Sequence, residues 1–391
     1  LIKRYCLIIV VCSLVLSGCW DRIEVNDVAI VTAAAIDKSK DKEIELSVQV
    51  FIPRSLNGGS GIQGSGQKSL SLVRSAKGVT IADAMSRIQM EIPRMIFWGH
   101  CKVYIYGEDL AKEGISDLVD YLARHPVPRN RAFMYVSKGK AAEVLKAVSE
   151  LERDSAETVR ALSGLHVGMA VTLVDLMQML MSPAKAAILP MIGLMPMPST
   201  PPGGENPYLF GSAILKSGKL VGQLTERATR GAMWVRNEIT SSTVTVKAKN
   251  VKGFVSLNPI REVTELIPVI EEGKWKMVVK VSTEGDLIQN GSNLDLSNPE
   301  LLRIMQVALR KDIEARMRGT IHLLQHDMKA DIFGFATQFH RKYPKEFAKV
   351  KDRWGEVFAS LDVDLQVASS IRRPGLVTIP GGIPEAEVRQ K

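Results

Sequence analysis

Cys19 follows Leu16-Ser17-Gly18 at the end of a short apolar run that Lys3 and Arg4 introduce. A thiol can act as a nucleophile, a metal ligand or the carrier of a covalent group. Other residues carry spacings that chemistry could use. His322 and His326 stand four apart, a spacing that can hold a metal on one helix face. Asp327 and Asp331 lie nearby in sequence, yet the two histidines flank an apolar stripe, where solvated polar residues belong. Ser182-Pro-Ala-Lys185 matches the Ser-x-x-Lys of acyl-serine enzymes, with Lys216-Ser217-Gly218 as a later partner motif. The pattern is cheap, because Ser39–Lys42 and Ser137–Lys140 match it too, and the Ser-x-Asn candidate Ser256–Asn258 falls in the wrong order. "GIQGSGQKS" is close to a phosphate loop, but Gln67 separates Gly66 from Lys68, and a flexible loop is the better reading. His100 beside a strand reads as structural. The sequence nominates no catalytic residue and no metal site.

Cys19 remains. The run from Tyr5 to Leu16 is shorter than the about 20 residues that a spanning helix needs. It has the length of a signal-peptide core, with Lys3 and Arg4 as the basic leader. Leu16-Ser17-Gly18-Cys19 resembles the bacterial lipobox, in which the cysteine thiol takes a diacylglyceryl group as a thioether and the signal is cut just before it. The expectation is cleavage between Gly18 and Cys19, a lipid on Cys19, and a body outside the cytoplasmic membrane. Two acyl chains hold a protein stably where one does not.

Composition narrows the class further. The chain has 391 residues, 46% hydrophobic and 24% charged, which is globular and large enough to bury cores without disulfide staples. Its four cysteines are Cys6, Cys12, Cys19 and Cys101, and the first two lie inside the apolar run. Neither a disulfide framework nor a zinc motif follows. The formal net charge of +9 is spread along the chain, with no basic block of the kind that marks nucleic-acid binding. A mild basic excess suits work close to an anionic membrane surface.

The elements that must position these residues are read from periodicity. Val28–Ile36 and Ile44–Ile52 are strands, and the Gly/Ser-rich stretch Asn57–Ser69 is a loop. Ile81–Glu91 is a helix behind Thr80. Cys101–Tyr106 and Arg131–Val136 are strands around a helix over Leu110–Arg124, and Ala141–Leu151 continues as a helix with Val144, Val148 and Leu151 on one stripe. Pro183–Pro207 is dense in proline, carries no regular structure on this reading, and marks a boundary. Hairpins follow over Leu209–Leu224 and Glu262–Ser282. A long amphipathic helix begins at a capping box of Ser297 and Glu300, with Leu301, Met305, Leu309, Ile313, Met317, Ile321, Leu324 and Met328 on its apolar face. A short helix at Ile332–Lys342 and a strand at Leu361–Ile371 precede a loose tail from Pro374.

Several segments then resemble one family in order along the chain. "GCWDRIEVNDVAIVTAAAIDK", "FWGHCKVYIYGEDLAKEGISDLVDYLARHPVPR", "GSAILKSGKLVGQLTE" and the C-terminal Asp-x-x-Gly-Phe, Tyr-Pro, Trp-x-x-x-Phe and Arg-x-x-Gly run are similar to the C subunits of spore germinant receptors, the Ger(x)C family. The resemblance implies an α+β fold, elongated, of three mixed α/β domains with antiparallel sheets and one long helix in the C-terminal domain. It divides the chain into a signal (1–18), an N-terminal domain (19–197), a linker (198–207), a small middle domain (208–255), a C-terminal domain (256–373) and a tail (374–391). It implies a non-enzymatic, lipid-anchored subunit on the outer face of the spore inner membrane. Its partners would be the receptor's A and B subunits, and no nucleic acid, no small-molecule ligand and no cofactor beyond the lipid on Cys19 is expected. Trp20, Asp21, Gly99, His100, Asp331, Gly334 and Phe335 belong to the family signature, with no role attached. The rival expectation is a solute-binding lipoprotein of an importer, which would show two α/β lobes and a hinge.

Overall fold

The computed structural model describes residues 4, 27–40, 42–52, 71–125, 129–147, 151–166, 168–197, 204–240, 242–373, 380–381 and 383–389. The architecture is mixed α/β, built on two sheets. The larger sheet runs β3 (Ser71–Gly78), β2 (Ile44–Phe51), β1 (Val28–Lys38), β5 (Val103–Gly107), β6 (Phe133–Ser137), β7 (Ala186–Pro196), β8 (Glu205–Lys216) and β9 (Lys219–Thr225), with short β4 (Met95–Phe97) against the start of β1. Hairpins supply its antiparallel ends, whereas β1, β5, β6 and β7 are parallel neighbours joined by helical crossovers.

Strand β1 shows why the centre of this sheet forms. Its near-continuous apolar run is buried on both faces, as central strands of covered sheets are. Period-two alternation sends Ala33 and Ala35 to one face with Val103, Ile105 and Tyr135, and Ala34 and Ile36 to the other with Tyr104 and Tyr106. The first face is covered by helices α4 (Ala141–Lys146) and α5 (Ser155–Gly164). The second is covered by α1 (Ile81–Glu91), α2 (Glu108–Glu113) and α3 (Ser116–Arg124). The expected single helix over 110–124 breaks at Gly114, whose φ of +137° an L side chain rarely adopts. The helix expected over 141–151 ends at Lys146. Val148 lies outside the described residues, and Leu151 is exposed.

The proline-dense stretch from Pro183 is not devoid of regular structure. β7 and β8 pair antiparallel from Ala186↔Lys216 to Pro196↔Glu205, and Met197 N donates to Gly204 O at 3.0 Å. Residues 198–203 lie outside the described residues, so the sheet continues on both sides of the expected linker. Pro190 is tolerated because β7 meets β6 only at Met191 and Ile192, which leaves no β6 ladder bond at residue 190 to lose. Five helices escaped the periodicity reading: α5, α6 (Leu173–Met181), with a Thr172/Asp175 capping box, α7 (Glu226–Arg236), and two short ones over Pro344–Ala348 and Trp354–Ser360.

The smaller sheet has the order β10 (Val244–Val246), β11 (Val255–Glu271), β12 (Lys274–Asn290) and β13 (Asp362–Arg373), with β12 and β13 parallel. The long helix α8 (Pro299–His322) lies on it and buries Leu301, Met305, Leu309, Ile313, Met317 and Ile321, the predicted stripe. Its N-cap is Asn298, whose side chain accepts from Glu300 N, and not Ser297, whose hydroxyl instead turns back to Asp295. A π-helical turn, Leu323–Met328, ends it at left-handed Lys329. Helices α9 (Phe335–Lys342), α10 (Pro344–Ala348) and α11 (Trp354–Ser360) close the end of the sheet. The described part of the tail is not loose: Arg389 is bridged to Leu294, and Val388 is buried. One core runs through both sheets by way of α7, whose Met233 and Trp234 lie between them.

Candidate functional site

The C-terminal signature collapses onto one buried carboxylate. Asp331 is 3% exposed and accepts from Phe333 N at 3.1 Å, Phe335 N at 3.2 Å, Ala336 N at 2.7 Å and Trp354 Nε1 at 3.0 Å. It thereby caps α9, which has no side-chain cap from its own N-cap residue. That residue is Gly334, at φ +79°. Phe335 is fully buried beside Phe333 and Phe358. Asp-x-x-Gly-Phe is therefore a turn that needs a carboxylate, a left-handed residue and an apolar anchor. Trp354 and Phe358, the ends of Trp-x-x-x-Phe, supply the indole donor and more of the same core. Burial raises the Asp331 carboxyl above its ordinary value, while the N–H donors around it favour the charged form.

Gly99 and His100 occupy the turn between β4 and β5, closed by Cys101 N on Trp98 O at 2.9 Å. Arg129 holds this turn: its Nε donates to Gly99 O, and its Nη2 lies 3.2 Å from His100 Nδ1. A side chain at position 99 would collide with the Phe97 ring. Partial burial, Arg129 and Lys102 lower the His100 pKa. Next to it, burial pushes the Cys101 thiol up to about 12, which makes it a packing residue and not a nucleophile.

A second buried carboxyl was missed by sequence reasoning. Asp37 Oδ1 accepts from Ala141 N at 2.7 Å and Oδ2 from Ala142 N at 2.9 Å, so the end of β1 caps α4 across the sheet. The signal lay in "AAAID", an acid closing an otherwise apolar strand.

Between the two sheets lies a cleft of about 510 Å³, lined among others by His166, Asp175, Gln178, Arg236, Glu238 and Asp331. Its polar groups are largely committed. Arg236 donates to Ile332 O and pairs with Glu238, and Asp175 serves the α6 capping box. The cleft is a seam between the halves more than a receptive pocket.

Gly18, Cys19, Trp20 and Asp21 lie outside the described residues. His322 and His326 are exposed with ring centroids 4.3 Å apart, and among the described residues no group of three or more His, Cys, Asp or Glu could hold a metal. Ser182 donates to Met179 O at 2.7 Å at the end of α6. No helix of the described residues is long and apolar enough to cross a membrane.

Fold and site together define a mixed α/β protein whose signature residues lock turns and helix ends. Residues 21–194 match the family described as spore germination protein N-terminal domain, and residues 210–375 match spore germination B3/GerAC like, C-terminal. The chain is similar to spore germination protein KC of Bacillus subtilis (strain 168), at 29% identity over 96% of this chain and 98% of that one. It is also similar to spore germination protein B3 of the same organism, at 24% identity over 93% and 96%. The crystal structure of the GerBC protein has the same fold, with a TM-score of 0.54 at 20% identity over 87% of this chain and 96% of that one. The chain belongs to the GerAC-like family of spore germination proteins.

Proposed function

We propose that this chain is the lipid-anchored, non-catalytic C subunit of a spore nutrient-germinant receptor. It would be held at the outer face of the spore inner membrane by a diacylglyceryl thioether on Cys19 and would support receptor assembly and germination signalling with the A and B subunits. The observation that carries this reading is the match of both family domains, in order, over nearly all of the sequence that follows Cys19. The signature supports a scaffold: Asp331, Gly334, Phe335 and Gly99 are spent on the fold, which leaves the surfaces for partners. The topology also fits an importer's binding protein poorly, because one core passes through both sheets and a hinge would have to open it.

The test is Cys19→Ala in the full chain, expressed in sporulating cells. The expected outcome is a protein that leaves the spore membrane fraction, no longer co-purifies with the A and B subunits, and impairs nutrient germination. Full membrane retention with normal germination would overturn the anchor. Failure of the unaltered chain to co-purify with either subunit would overturn the receptor assignment.

A further inference from the structure

The N-terminal part of α8 and the strand edge beside it form a groove of about 630 Å³, within the range of about 300–1,000 Å³ that ligand sites occupy. Ile304, Val307 and Ala308 make an apolar floor from one face of the helix, and Val307 remains 41% exposed there. Arg303 and Lys311 stand one helical turn to either side of Val307. Lys247 and Lys249 face them from the chain that continues β10, alternating with buried Val246 and Ala248. Among the described residues none of these four cations is in an ion pair, and Lys247 Nζ is held 5.6 Å over the Phe254 ring. The one acid of the lining, Asp312, is already spent on Arg316 Nε at 2.5 Å and Arg227 Nη2 at 3.2 Å.

A solvated charged face tends to pair its signs, and this helix does so from Asp312 to Arg318. Asp312–Arg316 and Glu314–Arg318 pair at i,i+4, while like charges at that spacing cost some tenths of a kcal/mol. The groove concentrates unpaired positive charge around exposed apolar surface instead. β10 is the edge of its sheet, so its outer side has no strand partner among the described residues. We infer that this groove docks an extended, acidic segment of a partner protein. Its carboxylates would meet Arg303, Lys311, Lys247 and Lys249, its apolar residues would cover Val307, and its backbone would run along the free edge of β10. Concavity favours a peptide over a bilayer, because a flat anionic surface cannot reach a floor set between two cationic walls. The inference rests on charge and shape alone and stands apart from the receptor assignment.

The test measures fluorescence anisotropy of a labelled peptide of alternating glutamate and valine on the full chain, alongside vesicles of phosphatidylcholine with and without phosphatidylglycerol. The double variant Arg303→Glu/Lys311→Glu and the single variant Val307→Glu, all at exposed positions, should each weaken peptide binding by about tenfold or more. A control of equal charge change far from the groove, Lys345→Glu/Lys349→Glu at exposed positions, should leave it within about twofold, as expected for distant surface charges. Absence of peptide binding to the unaltered chain, equal loss in groove and control variants, or binding to anionic vesicles in place of the peptide would each overturn the proposal.

Discussion

The indole N–H of Trp354 donates to Asp331 Oδ2 at 3.0 Å, joining the start of α11 to the turn that opens α9. Trp354 also contacts Trp275 of β12 edge-on and packs on Phe339 and Phe347. The hydrogen bond thus joins the two helix starts, and the ring contact with Trp275 joins them to the sheet. Removing its donor with Trp354→Phe should destabilise the fold by about 1–3 kcal/mol. Asp331→Ala, which strands several buried donors, should cost more. Urea unfolding of both single variants and the double variant checks this, with a coupling of at least about 0.5 kcal/mol expected between them.

Asp37 and the N-terminus of α4 stand in a similar relation. Asp37→Ala should cost about 0.5–2 kcal/mol, the range for a lost helix cap. Hydrogen exchange should localise the loss, with the amides of Ala141 and Ala142 exchanging faster while β8 and β9 are unchanged. Gly107→Ala should act on the same place, because a methyl group there would run into Asp37 Oδ1.

Where α7 crosses α8, Gly231 lies so close that an added Cβ would sit 2.6 Å from Arg316 O and collide with Thr320 Oγ1. Thr320 itself donates to Ala228 O at 2.9 Å across the crossing. Gly231→Ala is favourable for an isolated helix but should destabilise this protein by about 1–3 kcal/mol, the cost of overpacking. A rise in thermal midpoint would contradict the close approach.

Glu262 on β11 gives a pH dependence. Burial pushes its carboxyl from 4.5 up to about 8, one oxygen has no hydrogen-bond partner among the described residues, and Glu238 adds repulsion. The fold favours the protonated form. That contribution is complete below pH 4.5 and is lost as pH rises to about 8. Glu262→Gln should therefore raise the thermal midpoint more at pH 8 than at pH 5. An equal effect at both values would mean that Glu262 ionises freely in the folded protein.

The elements legible in the sequence were those with long apolar patterns: near-continuous in β1, alternating in β2, and one-sided in α1, the β11–β12 hairpin and the α8 stripe. α7 was missed because "ERATRGAMWVR" is buried on most of its circumference, so small residues replace the apolar stripe. β7 was missed because proline density argued against a strand, and only its neighbours decide whether a missing N–H matters. The N-cap lies one residue later than the expected capping box, and no box forms, because Ser297 and Asn298 are equally good caps and Asp295 claims the serine.

The sequence by itself determined the order of the family segments, the amphipathic faces and the residue types at the signature positions. Those are local properties, written in spacing and chemistry. Only the tertiary structure decided what the signature does. Trp354 reaches Asp331 across 23 residues, Arg129 reaches Gly99 across 30 and Asp37 reaches Ala141 across 104, and a carboxylate looks the same in sequence whether it meets solvent, a ligand or the N–H groups of a distant helix. The same holds for the groove at Val307, because unpaired charge is a property of what folds beside it.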